Sequence, residues 1–167
     1  KIKILGPKFL CKMISNSSPL IFLSKIGKLS FLKELFNRVK IPENVKNEVF
    51  INNKSDSYMI KKAIDEGGIV VEDPKKEMPF GLGKGENSAI SLAIEKKDSL
   101  IIDDALAVKV AKSFNIEILR TTSIIFLALS KKLIVKKEAV KLINKLIEEG
   151  YYISSRYYKE IFEELNK

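Results

Sequence analysis

The sequence predicts an α/β protein with a central parallel sheet, helices on both faces and a helical C-terminal part. Two observations support this prediction. Short β-branched or apolar runs alternate with longer stretches that have apolar residues at helical spacing. Beyond residue 121 the pattern is helical only. Strands separated by helical crossovers imply parallel pairing with right-handed connections, which gives a three-layer α/β/α arrangement.

Several elements begin or end at recognisable signals. Pro42 ends the strand "VKIP" and is suited to the first position of the helix "PENVKNEVF". A later helix stops at Gly67 and Gly68, and the run "IVVED" that follows is rich in β-branched residues. In chain order, we predict strands over 10–15, 39–42, 69–73, 100–103 and 116–119, and helices over 19–27, 29–37, 42–50, 56–66, 85–97, 104–114, 122–132, 136–149 and 155–165.

Composition indicates a folded domain and excludes several kinds of chemistry. The chain has 167 residues, of which 46% are hydrophobic and 31% charged, enough for a proper core. It contains no histidine, and Cys11 is the single cysteine. These counts exclude an internal disulfide, Ser-His-Asp and Cys-His catalysis, and metals held by histidine. An enzyme of this composition would rely on carboxylates, lysines, hydroxyls or a hard cation such as Mg²⁺ or Mn²⁺.

The N-terminal segment "KIKILGPKFLCKM" does not read as a secretory signal, because Gly6, Pro7 and Lys8 interrupt its short apolar stretch. No apolar run approaches the ~20 residues of a membrane helix. We therefore expect a cytoplasmic protein without a membrane partner. Met13 directly precedes the first polar motif, so we treat residues 1–12 as an N-terminal extension and 13–167 as one domain.

The net charge of +9 is unevenly distributed along the chain. Residues 1–40 hold +8, whereas residues 41–86 hold −2. A basic third beside a more acidic middle suits a polyanion-binding rim around a cation-binding centre. The alternative is scattered, solvated lysine charge with no specific partner.

Polar residues follow two of the predicted strands. Asp103 and Asp104 follow the strand in "LIIDDALAVKVA", and Asn16 follows the first strand in "MISNSSPLI". Because the carboxyl ends of parallel strands open on one edge, where ligands bind, we expect these residues to border a site. The structural alternatives are an aspartate cap at the later strand, and Ser18 capping a helix that begins at Pro19.

Two further acids lie at less specific positions. Glu86 follows "GLGKG" in the first turn of a helix, where negative charge complements the helix dipole. The glycine run lacks the Gly-Lys-Ser/Thr ending of a phosphate loop. Glu48, in "NVKNEVF", is equally well interpreted as an exposed helical glutamate.

Five segments in this order resemble the PIN domain family, especially a prokaryotic branch of predicted nucleic-acid-binding proteins similar to ribonuclease toxins. The resemblance spans about residues 13 to 165. It implies a compact parallel-sheet fold, acids that bind Mg²⁺ or Mn²⁺, hydrolysis of single-stranded RNA and, in many members, neutralisation by a small antitoxin protein. The segments are "ISNSSPLIFLSKIGKLSFLKELF", "IPENVKNEVF", "GLGKGENSAISLAIEKK", "LIIDDALAVKVAKSFNIEI" and "GYYISSRYYKEIFEEL".

The resemblance also implies roles for single residues. Asn16 stands where the family usually has the first acid, Ser17 matches the hydroxyl residue after it, and Thr121 or Thr122 matches a hydroxyl position after the last strand, where capping is the alternative. The implied metal ligands are Asn16, Glu48, Glu86, Asp103 and Asp104, and the four acids among them are the implied catalytic residues. We expect Ser17, Lys25, Lys84 and Lys109 to contact the substrate.

The leading hypothesis is a Mg²⁺- or Mn²⁺-dependent ribonuclease weakened by Asn16, because an amide supplies an oxygen without the negative charge. The alternative is a catalytically inactive PIN-like module that binds nucleic acid or protein. A phosphoacceptor receiver domain would need its paired acids after the first strand, where this chain has Asn16. We expect the helices over 122–150 to pack in the core, with a homodimer face as the alternative use.

Overall fold

A sheet of parallel strands lies at the centre of the protein. The computed structural model describes residues 12–52 and 54–165, and within them the sheet has five strands in the order β3-β2-β1-β4-β5. Apart from Lys12, the predicted N-terminal extension lies outside the described residues. The strands are β1 (Met13–Ser15), β2 (Val39–Ile41), β3 (Ile69–Val71), β4 (Ser99–Ile101) and β5 (Ile118–Leu119).

Helices connect successive strands and cover both faces of the sheet, which confirms the predicted three-layer α/β/α class. None of them, within the described ranges, is long and apolar enough to cross a membrane. They are α1 (Ser17–Lys25), α2 (Ser30–Phe36), α3 (Glu43–Asn52), α4 (Lys54–Asp65), α5 (Lys84–Lys96), α6 (Ala105–Ser113), α7 (Thr121–Ser130), α8 (Lys136–Glu148) and α9 (Ser155–Leu165).

The third and fourth strands end earlier than predicted, and polar side chains form hydrogen bonds to other elements just beyond them. Beyond β3, the Asp73 carboxylate accepts a hydrogen bond from the Glu43 N–H at 2.8 Å. Beyond β4, the Asp103 carboxylate accepts one from the Thr121 N–H at 2.9 Å. Asp73 and Asp103, the last residues of the two predicted strands, therefore lie outside the sheet and bind the starts of α3 and α7.

The first helix begins at Ser17, so the prediction that Ser18 caps a helix starting at Pro19 is wrong. Asn16 takes the N-cap position with an extended backbone (φ −80°, ψ 173°), yet its side chain makes no capping hydrogen bond. Pro19 instead falls in the first turn, where a missing N–H leaves no helical hydrogen bond unmade. The polar cluster after β1 is therefore not explained by capping.

The core lies on both faces of the central strand β1 and its neighbour β4. Every residue of β1 and β4 is buried, as expected for parallel strands covered by helices. The helices over 122–150 add buried side chains such as Ile124, Ile143 and Leu146. Burial of each such side chain contributes about 1.5–3 kcal/mol relative to leaving it exposed to water. Core packing thus accounts for much of their apolar character, and a homodimer face stays a prediction.

The strand order creates one topological switch point, between β1 and β4. From β1 the chain builds β2 and β3 on one side, and later adds β4 and β5 on the other. Ser15 pairs with Ile101, so both strands end at the same level. Because ligands of open parallel sheets bind in the crevice at such a point, the residues after β1 and β4 are the first place to seek a site.

Candidate active site at the carboxyl edge of the sheet

Asn16 brings a buried amide oxygen to the switch point. Its N–H donates to the Ile101 carbonyl of β4 at 2.9 Å, which fixes the residue between the two strands. The residue is only 3% exposed, and its Oδ1 accepts no hydrogen bond from the described part of the chain. A buried polar atom left without a partner costs about 1–3 kcal/mol. A bound cation or water would remove that cost.

Glu48 is held by tertiary contacts, so it is not an ordinary exposed helical glutamate. The Ser17 hydroxyl donates to Glu48 Oε2 at 2.7 Å, and the Gly85 N–H donates to Oε1 at 2.9 Å. A Cβ on Gly85 would lie 2.5 Å from Glu48 Oε2, so only glycine allows this approach. The contact joins α1, α3 and the start of α5 around one carboxylate.

Asp103 is the most heavily hydrogen-bonded acid of the candidate site. Its Oδ1 accepts from the Thr121 N–H at 2.9 Å and from the Tyr151 hydroxyl at 2.6 Å. Its Oδ2 accepts from the Thr121 hydroxyl at 2.6 Å. The capping alternative for the threonines is therefore wrong: Thr121 binds Asp103, and the Thr122 hydroxyl lies 2.9 Å from that of Tyr157.

Tyr151 is a hydrogen-bond donor that does not readily lose its proton. The residue is 5% exposed, and its ring packs edge-on against Phe22 with centroids 5.1 Å apart. Burial, together with the negative charge of Asp103, raises the pKa of Tyr151 well above its usual range. The Tyr151 hydroxyl therefore keeps its proton and keeps donating to the Asp103 carboxylate at any ordinary pH.

The other two predicted acids make capping contacts. Glu86 Oε2 accepts from the Gly83 N–H at 2.9 Å, and Asp104 Oδ1 accepts from the Ala107 N–H at 2.8 Å at the start of α6. These are the structural alternatives that the sequence left open. Both residues nevertheless line the same cleft as Asp103. Each carboxylate retains lone pairs that its capping bond does not use.

A cleft of about 700 Å³ opens beside Asp103. Glu86 and Asp104 line it from the predicted set, while Asn16 and the Ser17–Glu48 pair lie outside its lining. Its remaining polar lining was not predicted. Those residues are Ser18, Arg120, Tyr151, Tyr152, Ser154 and Tyr157.

The sequence contains a local signal for one of the unpredicted cleft residues, Arg120, and none for another, Tyr151. Arg120 directly follows β5, so the strand-end rule that selected Asn16 and Asp103 would also have selected it. Its guanidinium donates to the Asp103 carbonyl at 2.9 Å. Tyr151 lies 48 residues from Asp103 along the chain, and no local pattern indicates that contact.

The predicted substrate-binding lysines do not line the cleft. Lys25 lies 3.8 Å from Glu149 Oε2 and above the Phe22 ring. Lys84 starts α5 and Lys109 lies on α6, both exposed. Guidance of a phosphate backbone by these three residues stays a prediction.

The candidate acids have the chemistry of hard-cation ligands, but the structure does not group them around a single ion. Within residues 12–52 and 54–165, no three acidic or cysteine side chains are grouped so that they could hold one metal ion. Carboxylate and amide oxygens are nevertheless the ligands that Mg²⁺ and Mn²⁺ prefer. The buried Asn16 oxygen, which has no hydrogen-bond partner in the described part of the chain, fits such a ligand. Binding one ion through three of these side chains would require some of them to move.

The match to a family model agrees with this interpretation of the fold. The family model DUF3368, described as a PIN domain, matches residues 12–167. No curated protein sequence is significantly similar to the chain. Among solved structures, it is similar to a PilT N-terminus domain protein from the hyperthermophilic archaeon Sulfolobus solfataricus P2, with 22% identity over 71% of this chain and 92% of that one, and a TM-score of 0.46. The family match, which covers nearly the whole chain, shows that the protein belongs to the PIN domain family, whose members are generally nucleases.

Proposed function

We propose that this protein is a divalent-metal-dependent nuclease that hydrolyses phosphodiester bonds in single-stranded RNA. Membership of the PIN family supports the nuclease class. The observation that carries the site assignment is Asn16, whose amide oxygen is buried at the switch point and accepts no hydrogen bond from residues 12–52 and 54–165. The residue next to it, Ser17, is bonded to Glu48, and the neighbouring strand leads to Asp103.

Asn16, Glu48 and Asp103 would hold Mg²⁺ or Mn²⁺, with Glu86 and Asp104 adding negative charge at the cleft. A bound ion would activate water and neutralise charge on the scissile phosphate. Asn16 supplies an oxygen but no charge. A missing unit charge at ~4 Å corresponds to roughly 4 kcal/mol per unit of partner charge at an effective dielectric of ~20, before solvent screening. We therefore expect weak metal binding and slow cleavage.

The protein's own groups orient two of the acids in advance. The Ser17 hydroxyl and the Gly85 N–H hold the Glu48 carboxylate from two sides. Thr121 and Tyr151 do the same for Asp103. Carboxylates fixed by several donors need little reorganisation when charge develops beside them, which is the basis of electrostatic catalysis.

The test is cleavage of single-stranded RNA by the purified protein, with Mg²⁺ or Mn²⁺ and with EDTA. We expect slow cleavage that requires the metal and is lost in Asp103→Asn and Glu48→Gln. Asp65→Asn is the matched control, because it removes an exposed carboxylate on α4 that pairs with Lys61. Absence of cleavage by the natural sequence, or cleavage that persists in EDTA, would refute the proposal.

A second candidate is a PIN domain that binds nucleic acid or protein without cutting. Two observations favour it: the first acidic position is Asn16, and the acids of the described residues form no ready metal-holding group. Asn16→Asp separates the two functions. A gain of cleavage indicates a weakened nuclease, whereas a folded variant without cleavage indicates a binding module. A small antitoxin partner and a role as a toxin rest on the family resemblance.

A further inference from the structure

Aromatic residues that the metal proposal does not use line the same cleft as Asp103. Tyr152 lines it and is 87% exposed, while its neighbour Tyr151 is buried. Tyr157 lines it as well, and its hydroxyl is anchored at Thr122. The Phe22 ring lines the cleft too.

Arg120 adds a positive charge to the same cleft. One of its guanidinium N–H groups donates to the Asp103 carbonyl at 2.9 Å, which positions the side chain beside the acids. A guanidinium has five N–H donors in a planar fork, so this bond leaves donors for a further acceptor. Carboxylate and phosphate oxygens both match such a fork, and phosphate is the one that a nucleic acid supplies.

We propose that Tyr152 and Arg120 form a nucleotide subsite, in which a base of single-stranded RNA stacks on Tyr152 while Arg120 binds a neighbouring phosphate. The inference rests on the proposed function and specifies where its substrate lies. Stacking on an aromatic side chain tolerates any base, because every base has a π face. The subsite therefore supplies affinity without sequence preference, next to the acids that would do the chemistry.

The exposure of Tyr152 is the observation that distinguishes this role from a structural one. The two adjacent tyrosines of "GYY" have different environments. Tyr151 packs on Phe22 and binds Asp103, whereas Tyr152 contributes almost no buried surface. Removal of its ring should therefore leave folding intact. Tyr58, 68% exposed on α4 and outside the cleft lining, is a matched control for a ring with no ligand.

The experiment measures binding alone, with the full chain in EDTA and a fluorescein-labelled oligouridylate followed by fluorescence anisotropy. We expect Tyr152→Ala to raise Kd roughly 5- to 150-fold, the loss corresponding to one stacked base. Tyr152→Phe should keep the affinity, and Tyr58→Ala should leave it unchanged. An abasic oligomer with the same number of phosphates should bind the natural sequence and Tyr152→Ala equally.

The phosphate contact has its own control. Arg120→Gln should reduce the slope of log Kd against log salt by about 0.7, the value for one phosphate of a single strand. Arg38→Gln removes the same charge just before β2, at the amino end of the sheet, and should change the slope less. Thermal melting confirms that each variant is folded.

The two proposals fail in distinguishable ways. No binding by the natural sequence, equal losses in Tyr152→Ala and Tyr58→Ala, or an equal effect of Tyr152→Ala on the abasic oligomer overturns the subsite. Metal-dependent cleavage with no Tyr152 effect on binding refutes the subsite alone. Tyr152-dependent binding without cleavage supports the subsite and refutes the nuclease.

Discussion

Tyr151 donates a 2.6 Å hydrogen bond to the Asp103 carboxylate and so joins the segment after α8 to the end of β4. Tyr151→Phe removes this hydroxyl but keeps the ring that packs on Phe22. Since a hydrogen bond to a charged group contributes about 1.5–3 kcal/mol, we expect the free energy of unfolding to fall by about that amount. Urea denaturation measures it. Tyr152→Phe, which removes an exposed hydroxyl, should change the value by less than about 0.5 kcal/mol, and equal losses would contradict the role given to Tyr151.

Gly85 and Glu48 should be coupled through a steric contact. In the natural sequence, Gly85→Ala places a Cβ against the Glu48 carboxylate and should cost about 1–3 kcal/mol of stability. In a Glu48→Ala background the carboxylate is absent, so the same change should be neutral or stabilising, because alanine favours a helix over glycine by about 1 kcal/mol. A double-mutant cycle by denaturant unfolding measures this coupling. Additive effects would mean that Glu48 moves aside at no cost.

The ion pairs around Glu72 should make stability depend on pH in the acid range. A hydrogen bond from Lys96 at 2.5 Å, with further help from Lys40, lowers the pKa of Glu72 below its usual value of 4.5. A lowered carboxyl pKa means that the stabilisation is fully present above pH 4.5 and is lost as pH falls through the pKa of the folded state.

The corresponding measurement is the free energy of unfolding from pH 6 down to about pH 3. Glu72→Gln should be less stable than the natural sequence near neutral pH and should lose stability less steeply below pH 4.5. Asp65→Asn, at an exposed pair with Lys61, is the control and should follow the natural curve. Parallel curves for Glu72→Gln and the natural sequence would rule out this linkage.

The fold could be predicted from the sequence because hydrophobic periodicity and helix-boundary residues occur within short stretches of the chain. The strand-end rule also located Asn16 and Asp103, since parallel strands carry their carboxyl ends to one edge. What the sequence did not disclose is which donors hold each acid. The Ser17–Glu48 and Tyr151–Asp103 bonds join residues 31 and 48 positions apart, and they exist only after the chain has folded.

The sequence also does not show which of two aspartates caps a helix and which is held by distant donors at the candidate site. Asp104 directly follows Asp103 in the chain and has the same side chain, yet Asp104 caps α6 whereas Asp103 binds Thr121 and Tyr151. The two residues are of the same type and adjacent in the chain, so only tertiary structure separates their roles.

Metal binding should be visible as a change in thermal stability that depends on Asn16. A ligand that binds only the folded state stabilises it by RT ln(1 + [L]/Kd), about 2.7 kcal/mol at a hundred times Kd. For a domain of this size, each kcal/mol raises Tm by about 2–4 °C. We expect Mg²⁺ or Mn²⁺ to raise Tm of the natural sequence modestly, and that of Asn16→Leu less.

Asn16→Asp gives the sharpest form of this test, because the sign of its effect should depend on the metal. In EDTA the variant places a charge at a buried position where the natural oxygen has no partner among the described residues, so its Tm should fall below that of the natural sequence. With metal, the added charge strengthens binding, so its rise in Tm should be the largest of the three proteins. A general effect of the salt would shift all three equally, and that result would remove Asn16 from the candidate metal site.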